Sequence, residues 1–389
     1  MSVLGVLVLC LSTGTSDAKR PKPKELPVIG QTDLPVAKAG LHVLEVNGEY
    51  VYLYGPKDGL LIVDVFDKEN PRLVNSTDEL PKQVFGFTSD GNRAFINCGP
   101  KGLFLFDGSN RPSPIVVDTG VKLAKENIWI TEDLLVAIAK DNAFVVYDVS
   151  NAVSPVEIGG LPGRELRIHE IVGSRIFATN RLANLVIVDL TSPTDPTVLG
   201  SVSIGGYKPL VGWIKRDMVV SGDYIYVAHE RGKAKVVDAS DPANPVVLSK
   251  FGPGAAPGIG RAGAAEIEVT GDRVYLNAPN GLYAFDVSDK ANPKRILKKT
   301  PTRSGSGLEH LIGVREQSLY AVGPLLNIYD VSTVTEDTAD WETTRLSFYL
   351  DKYWFWSGGL GEEYLYLVTR GIKNKEHRML VVVDIEDLQ

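Results

Sequence analysis

Eight times along this chain, an apolar run ends in an aspartate that opens a turn. The clearest runs are Leu60–Val65, Val145–Val149, Leu185–Leu190 and Val381–Ile385. Such a repeat constrains the fold more than any other feature, because one unit cannot bury its apolar face alone and must pack against the next. The eight marker aspartates are 41 to 54 residues apart: Asp64, Asp107, Asp148, Asp189, Asp238, Asp286, Asp330 and Asp384.

The residues after each marker are typical of a turn that leads into an outer strand. Asp, Asn and Ser fill this stretch, as in Asp286–Pro293 (DVSDKANP), and their side chains bond to nearby backbone amides. Proline has no N–H group, so it fits the start of a strand at a sheet edge. Six copies have a proline seven residues after the marker: Pro71, Pro114, Pro155, Pro196, Pro245 and Pro293.

Two further strands are predicted ahead of the marker strand in each copy. Runs such as Tyr50–Tyr54 and Tyr224–Ala228 alternate aromatic and β-branched residues, as half-buried strands do. The pairs Asn47-Gly48 and Gly222-Asp223 come just before these runs and are hairpin signals. Another β-rich run, as in His42–Val46, precedes the turn. Each copy therefore predicts four antiparallel strands.

Four-stranded units of this length repeated around an axis form a β-propeller. The sequence predicts an all-β protein of eight blades, with seven as the alternative if a degenerate copy is miscounted. The last copy lacks an outer strand after Asp384, whereas Leu26–Pro35 resembles the outer strand in Ser154–Pro162. We expect this N-terminal strand to complete the last blade and close the ring.

The same residues carry a family resemblance. The run Leu185–Asp189 spells LVIVD, and the unit Leu185–Gly200 resembles the LVIVD repeat in full. Lys235–Leu248 and Ala284–Leu297 are almost as similar. The resemblance implies a β-propeller of exported or surface-associated prokaryotic proteins, bacterial ones being expected here, without a shared catalytic motif. Copies two, seven and eight depart from the repeat, and the last contains the insertion Gly371–Met379.

The N-terminus predicts export. Val3–Leu11 is an apolar run that is too short to span a bilayer, and Ser16–Ala18 fits a signal cleavage site. We expect a signal peptide at residues 1–18, a linker at 19–25 and one propeller domain at 26–389. The expected location is secreted, periplasmic or cell-surface. The alternative is an apolar extension that packs on the propeller.

Composition narrows the choice of partners. The chain has 41 Lys and Arg against 48 Asp and Glu, for a net charge of -7. A nucleic-acid-binding protein usually has a basic face, so no nucleic-acid partner is predicted. The two cysteines, Cys10 and Cys98, indicate a fold that needs no disulfide framework. No transmembrane span is predicted.

Four residues in predicted first strands are candidates for chemistry at the propeller axis: His42, His169, Glu266 and His310. Imidazoles and a carboxylate that converge could hold a divalent metal or run acid–base catalysis. The known ligand spacings are absent, so no cofactor is predicted, and a divalent metal is the alternative. The competing interpretation is that these residues line a solvated channel wall.

Two long connections are candidate binding surfaces. Ile204–Arg216 contains aromatic and cationic side chains, a common composition of binding surfaces. Gly254–Gly263 is a glycine-rich segment with one cation. The alternatives are plain connections and a Trp213 that packs between blades. The candidate residues are Tyr207, Lys208, Trp213, Arg216 and Arg261. A third segment, the aromatic Phe348–Trp356, is predicted to be core, with stacking on sugars or peptides as the alternative.

The leading hypothesis is an exported, non-enzymatic propeller that binds a protein or glycan partner at the cell envelope. The alternative is an enzyme of the channel, a polysaccharide lyase or hydrolase or a metal-dependent oxidoreductase, that uses His42, His169, Glu266 and His310. A third interpretation is a structural surface-layer or adhesion module.

Overall fold

A computed structural model describes residues 22–35, 41–55, 58–74, 80–163, 166–205, 218–229, 233–252, 266–278, 281–299, 310–331, 345–374 and 377–388. The first two strands, β1 (Lys24–Glu25) and β2 (Gly30–Leu34), join blades that are formed much later in the chain. All other strands fall into eight consecutive groups. Two single-turn 3₁₀ helices, Gly99–Lys101 and Glu386–Leu388, are the helical elements of the described residues.

The strands of blades 1 to 4 follow one another in chain order. Blade 1 has β3 His42–Asn47, β4 Tyr50–Gly55, β5 Gly59–Asp64 and β6 Arg72–Leu73. Blade 2 has β7 Gly86–Asp90, β8 Arg93–Asn97, β9 Leu103–Asp107 and β10 Ile115–Asp118. Blade 3 has β11 Trp129–Thr131, β12 Leu134–Ile138, β13 Phe144–Asp148 and β14 Val156–Leu161. Blade 4 has β15 Leu166–Val172, β16 Arg175–Asn180, β17 Asn184–Asp189 and β18 Thr197–Ser203.

Blades 5 to 8 continue the series, and blade 8 takes its fourth strand from the N-terminus. Blade 5 has β19 Met218–Ser221, β20 Tyr224–His229, β21 Lys233–Asp238 and β22 Val246–Phe251. Blade 6 has β23 Glu266–Thr270, β24 Arg273–Ala278, β25 Gly281–Asp286 and β26 Lys294–Lys299. Blade 7 has β27 His310–Arg315, β28 Ser318–Val322, β29 Leu326–Asp330 and β30 Arg345–Tyr349. Blade 8 has β31 Tyr353–Leu360, β32 Tyr364–Gly371, β33 Arg378–Asp384 and β2.

The eight sheets form a closed ring, which confirms eight blades rather than seven. Each first strand contacts the first strand of the next blade around the whole circuit, from β3 through β7, β11, β15, β19, β23 and β27 to β31 and back to β3. The apolar side chains pack between neighbouring sheets. Tyr366 and Val382 of blade 8, for example, share one buried cluster with Leu53 and Val63 of blade 1.

The marker aspartates open turns of the predicted kind. The Oδ1 atom of Asp189 accepts a hydrogen bond from Thr191 N at 2.9 Å, and the same i to i+2 bond forms at Asp64, Asp107, Asp148, Asp238, Asp286 and Asp384. In the six copies with a proline, the outer strand begins at the residue after that proline. The turn chemistry in the sequence therefore sets the start of each outer strand.

The N-terminal strand closes the ring as predicted. β2 pairs antiparallel with β33, with Gly30 opposite Val382 and Leu34 opposite Arg378. The His377 imidazole also links the two ends of the chain, because its Nε2 lies 3.0 Å from Asp33 Oδ1 and its Nδ1 lies 2.7 Å from the Tyr353 hydroxyl. Lys24 and Glu25, within the predicted linker, add a short parallel strand to β30.

One contact shows that β2 sits where an ordinary fourth strand would sit. Gly30, Gly159 and Gly200 each lie opposite the residue two positions before a marker aspartate. A Cβ atom on any of these glycines would collide with backbone of the marker turn of the next blade. Ser249 holds the same position in blade 5, and its hydroxyl donates to Lys290 O at 2.7 Å. The closing strand therefore repeats the packing of the internal blades.

Candidate functional site

Three of the four predicted axis residues begin first strands at one level. His42, Glu266 and His310 lie opposite Tyr54, Asn277 and Val322, which are each the fifth residue of their second strand. The His42 ring lies 6.3 Å from the Trp356 ring of blade 8, centroid to centroid. The side chains of Glu266 and His310 lie outside the described part of the structure, so convergence of the three stays a prediction.

His169 occupies a different level from the other three. It is the extra residue of a β-bulge between Ile168 and Glu170, and its Nε2 lies 2.8 Å from Thr179 Oγ1 of the adjacent strand. Within the described ranges, no three His, Cys, Asp or Glu side chains are grouped so that they could hold a metal ion.

The two predicted binding connections cannot be placed on the ring. Their candidate residues lie outside the described residues: Tyr207, Lys208, Trp213, Arg216 and Arg261. The binding surface they were predicted to form stays a prediction.

Polar side chains of first strands tie neighbouring blades together at the axis. Ser357 Oγ accepts a hydrogen bond from Val43 N at 3.0 Å, which joins blade 8 to blade 1. Glu170 Oε2 accepts one from Val220 N at 2.8 Å, which joins blade 4 to blade 5. These bonds satisfy edge amides that the four-stranded sheets leave unpaired. The sequence analysis missed them, because their two partners are far apart in the chain.

A cavity of about 890 Å³ lies where blades 7, 8 and 1 meet, on the face that carries the hairpin turns between first and second strands. We call it the closure cavity. Its walls combine apolar side chains, turn glycines and charged groups. They are formed by Val46, Asn47, Gly48, Lys68, Val314, Arg315, Leu360, Gly361, Glu362, Glu363, Tyr364 and Tyr366.

The two cations of the closure cavity are tethered to its wall. Lys68 Nζ donates to Val65 O and lies 5.3 Å from the centre of the Tyr364 ring, and burial lowers the pKa of this lysine. Arg315 Nη1 donates to Gly361 O at 3.3 Å. Glu362 and Glu363 are exposed in the hairpin turn of blade 8. The cavity therefore offers positioned donors in its wall and exposed carboxylates at its edge.

Sequence reasoning missed the closure cavity, although one signal was available. Gly361, Glu362 and Glu363 form a polar turn between two apolar strands. Turns of this kind occur in every blade, and only the ring places this one beside Asn47 of blade 1 and Arg315 of blade 7.

The comparison with known families agrees with this architecture. Five segments match the LVIVD repeat, at residues 42–79, 126–161, 180–203, 215–251 and 262–298. The chain is an LVIVD-repeat β-propeller. The matched segments fall in blades 1, 3, 4, 5 and 6, whereas blades 2, 7 and 8 are the copies that depart from the repeat. No curated protein sequence matches this LVIVD-repeat propeller.

Solved structures show the same fold at low sequence identity. The propeller is similar to Sqt1 from Saccharomyces cerevisiae, with a TM-score of 0.62, 11% identity, and coverage of 92% of this chain and 99% of that chain. BamB from Moraxella catarrhalis has a TM-score of 0.56 and 12% identity, with coverage of 92% of this chain and 97% of that chain. The computationally designed Ika8 protein has a TM-score of 0.59 and 10% identity, with coverage of 91% of this chain and 99% of that chain. At these identities the likeness concerns the fold alone. No helix in the described part of the chain is long and apolar enough to cross a membrane.

Proposed function

We propose that this LVIVD-repeat propeller is a binding scaffold that holds a protein or glycan partner in the closure cavity. The observation that carries the proposal is the cavity itself, which spans three blades and has a volume of about 890 Å³. Ligand sites are usually concave and mostly apolar, with a few positioned polar groups. The closure cavity is concave and places apolar side chains such as Val46, Val314 and Leu360 beside polar groups such as Asn47 and Lys68, and its lining is about equally polar and apolar.

Rigid supports favour binding at this place. Apart from Lys68, which lies in the marker turn of blade 1, the lining residues lie in strands or in tight hairpin turns, so little conformational entropy is lost when a partner binds. Tyr364 presents an aromatic ring beside the Lys68 ammonium group. A ring next to hydrogen-bonding groups suits both a sugar and a polar peptide segment.

The test is capture of a partner by the mature protein, from envelope extracts and on a glycan array. The double variant Glu362→Lys with Glu363→Lys reverses the charge at the cavity edge, and we expect it to reduce capture at least tenfold. Glu157→Lys in blade 3 is the matched control, because Glu157 is also exposed and lies far from the cavity in the ring. Capture that is absent, or equal in all variants, contradicts the proposal.

Export is part of the same proposal, and the apolar Val3–Leu11 followed by Ser16–Ala18 supports it. We expect the mature protein in the envelope or medium fraction, with its N-terminus close to Lys19. N-terminal sequencing of the fractionated native protein is the measurement. Recovery of the uncleaved chain with the cytoplasmic fraction would contradict export.

A second candidate function is chemistry at the axis, and the shared level of His42, Glu266 and His310 favours it. Neutral imidazoles and a carboxylate suit a divalent metal. Elemental analysis of the purified protein decides the matter. A stoichiometric metal that is lost in His42→Ala and His310→Ala would support an enzyme. A metal-free protein whose melting temperature does not change when divalent ions are added would count against it.

A further inference from the structure

A second group of polar side chains lies in blade 8 at the other end of β32 from the closure cavity. The guanidinium carbon of Arg370 lies 5.4 Å from the centre of the Trp356 ring, and that of Arg378 lies 5.5 Å from it. We call Trp356, Arg370 and Arg378 the Trp356 cluster. Arg370 and Arg378 are register partners on β32 and β33, and Trp356 is the bulged residue of β31.

The Trp356 cluster contains buried donors that the protein does not use. Arg378 is only 3% exposed, yet its Nε and Nη1 atoms have no hydrogen-bond partner, and neither has the buried Trp356 Nε1. An arginine stays charged at every physiological pH. Buried donors without acceptors are costly, and a buried charge without hydrogen bonds is more costly still. The fold keeps these groups at the expense of its stability.

Blade 1 borders the Trp356 cluster with one carboxylate and one imidazole. Asp58 Oδ2 is buried without a hydrogen-bond partner, and the His42 ring packs near Trp356. Burial and the neighbouring Arg370 lower the pKa of Arg378, whereas the attraction of Asp58 raises it. Among the residues that the structure describes, two guanidinium groups face one carboxylate here, which gives this group of side chains an excess positive charge.

We propose that the Trp356 cluster is a binding site for an oxyanion, the carboxylate or sulfate group of a small hydroxylated ligand such as an acidic sugar. The anion accepts hydrogen bonds from Arg378 and from Trp356 Nε1, and it offsets the repulsion between the two guanidinium groups. Asp58 Oδ2 is the acceptor for a ligand hydroxyl. Trp356 and Arg370 are half-buried, whereas the donor atoms of Arg378 and Trp356 Nε1 are fully buried, so a ligand reaches these donors when the Trp356 and Arg370 side chains move aside. The site does not depend on the closure cavity.

The experiment measures ligand-induced stabilisation and tryptophan fluorescence of the full-length protein. Sodium glucuronate, sodium sulfate and sodium chloride are compared at equal ionic strength. We expect the melting temperature to rise with glucuronate or sulfate and to stay constant with chloride. Sulfate also stabilises proteins by exclusion from their surface, so only a response that is lost in Arg378→Met counts. Such a response to both probes indicates a general oxyanion site, whereas one to glucuronate alone assigns a carboxylate ligand. No response to either probe overturns the proposal.

Variants link the response to the Trp356 cluster. We expect Arg378→Met to weaken the apparent affinity at least tenfold. Trp356→Phe removes the indole N–H donor, and we expect it to weaken the affinity to a smaller extent. Arg175→Met in blade 4 is the matched control, since Arg175 is exposed and distant in the ring. It should respond like the wild type. A response that survives Arg378→Met unchanged overturns the proposal.

The stability of the unliganded variant provides a readout that is independent of binding. Replacing a buried charge whose donors lack hydrogen-bond partners by an apolar side chain of similar length is often neutral or stabilising. We therefore expect the ligand-free Arg378→Met variant to melt at the same temperature as the wild type or above it. A large decrease in melting temperature would mean that Arg378 serves the fold through contacts of its own, and it would contradict the proposal.

Discussion

Blade 4 and blade 8 have the same four-stranded plan but use their polar groups differently. In blade 4, Asp189 accepts hydrogen bonds from the Thr191 hydroxyl at 2.6 Å and from the Thr191 backbone N–H at 2.9 Å. No described residue of blade 4 has a buried polar side-chain atom without a hydrogen-bond partner. In blade 8, buried atoms of Trp356 and Arg378 have none. Blade 4, which matches the repeat, uses its polar groups for the fold. The blade that departs from it, and that also borders the closure cavity, keeps polar groups free for a ligand.

The largest expected effect tests whether the two blades are nevertheless packed alike at their outer strands. Gly30→Val in blade 8 and Gly200→Val in blade 4 each place a side chain against the backbone of the next turn. We expect each to lower the free energy of unfolding by about 3 kcal/mol or more, because backbone cannot move aside easily. Denaturant unfolding is the measurement.

The neighbouring Gln31→Val is the control for this pair, because Gln31 is exposed and valine favours a strand. It should leave stability nearly unchanged. If Gly30→Val also leaves stability unchanged while Gly200→Val does not, then β2 does not pack like an internal strand.

A smaller effect is expected for two tyrosines in one strand of blade 1, because one buried hydroxyl is hydrogen-bonded and the other is not. Tyr50 and Tyr52 are both fully buried, but the Tyr50 hydroxyl donates to Gly108 O at 2.9 Å, whereas the Tyr52 hydroxyl has no partner. We expect Tyr50→Phe to cost about 1 kcal/mol, and Tyr52→Phe to be neutral or stabilising. Equal losses of unfolding free energy in the two variants would show that the unpaired hydroxyl has a partner in solution.

Acid should weaken the turns that the regular blades share. The hydroxyls and backbone amides of Thr191, Ser150 and Ser288 lower the pKa values of Asp189, Asp148 and Asp286. A carboxylate with a lowered pKa stabilises the fold above its unfolded pKa, and this stabilisation is lost as the pH falls through the folded value, so stability should decline below about pH 4. Melting temperatures from pH 7 to pH 2 test this.

Asp189→Asn is the variant that sharpens the acid experiment. Its amide oxygen can accept the same turn hydrogen bond but does not titrate. We expect a slightly lower melting temperature at pH 7 and a smaller decrease on acidification than in the wild type. An unchanged pH dependence in Asp148→Asn and Asp189→Asn would show that these turns are not the acid-sensitive element.

The smallest expected effect concerns blade 2, which also departs from the repeat. Its cysteine should not react with a thiol reagent in the folded protein. Cys98 in blade 2 is fully buried, and burial raises the pKa of its thiol to about 12. Only the thiolate reacts readily, so Ellman's reagent at pH 8 should not label Cys98 in the folded protein. Full labelling is expected in denaturant. Fast labelling without denaturant would show that blade 2 opens independently of the ring.

The regular blades were predictable because their chemistry is local. A marker such as Asp286 and the proline Pro293 lie within one turn, so the sequence displays both partners together, and this predicted the turns, the eight blades and the closing strand. The Trp356 cluster is different. Arg370 and Arg378 meet Trp356 through strand register and a bulge, neither of which is visible in the residue order.

The aromatic segment Phe348–Trp356 of blades 7 and 8 was only partly predicted from the sequence. The core prediction for Phe348–Trp356 is confirmed for Phe348 and Phe355, which are each 3% exposed. Trp354 is 43% exposed, however, and Trp356 is half-buried beside two arginines. Alternation along a strand sends neighbouring side chains to opposite faces, so composition alone cannot assign one environment to the whole segment.

Closure of the ring by β2 brings blades 8 and 1 together and so creates both proposed binding sites. Hydrogen exchange of the backbone amides in β2 tests it most directly, with β18 of blade 4 as the internal reference. We expect residues 30–34 to be as strongly protected as residues 197–203, because both are outer strands paired with a marker strand. Rapid exchange of residues 30–34 while residues 197–203 stay protected would contradict the closed ring.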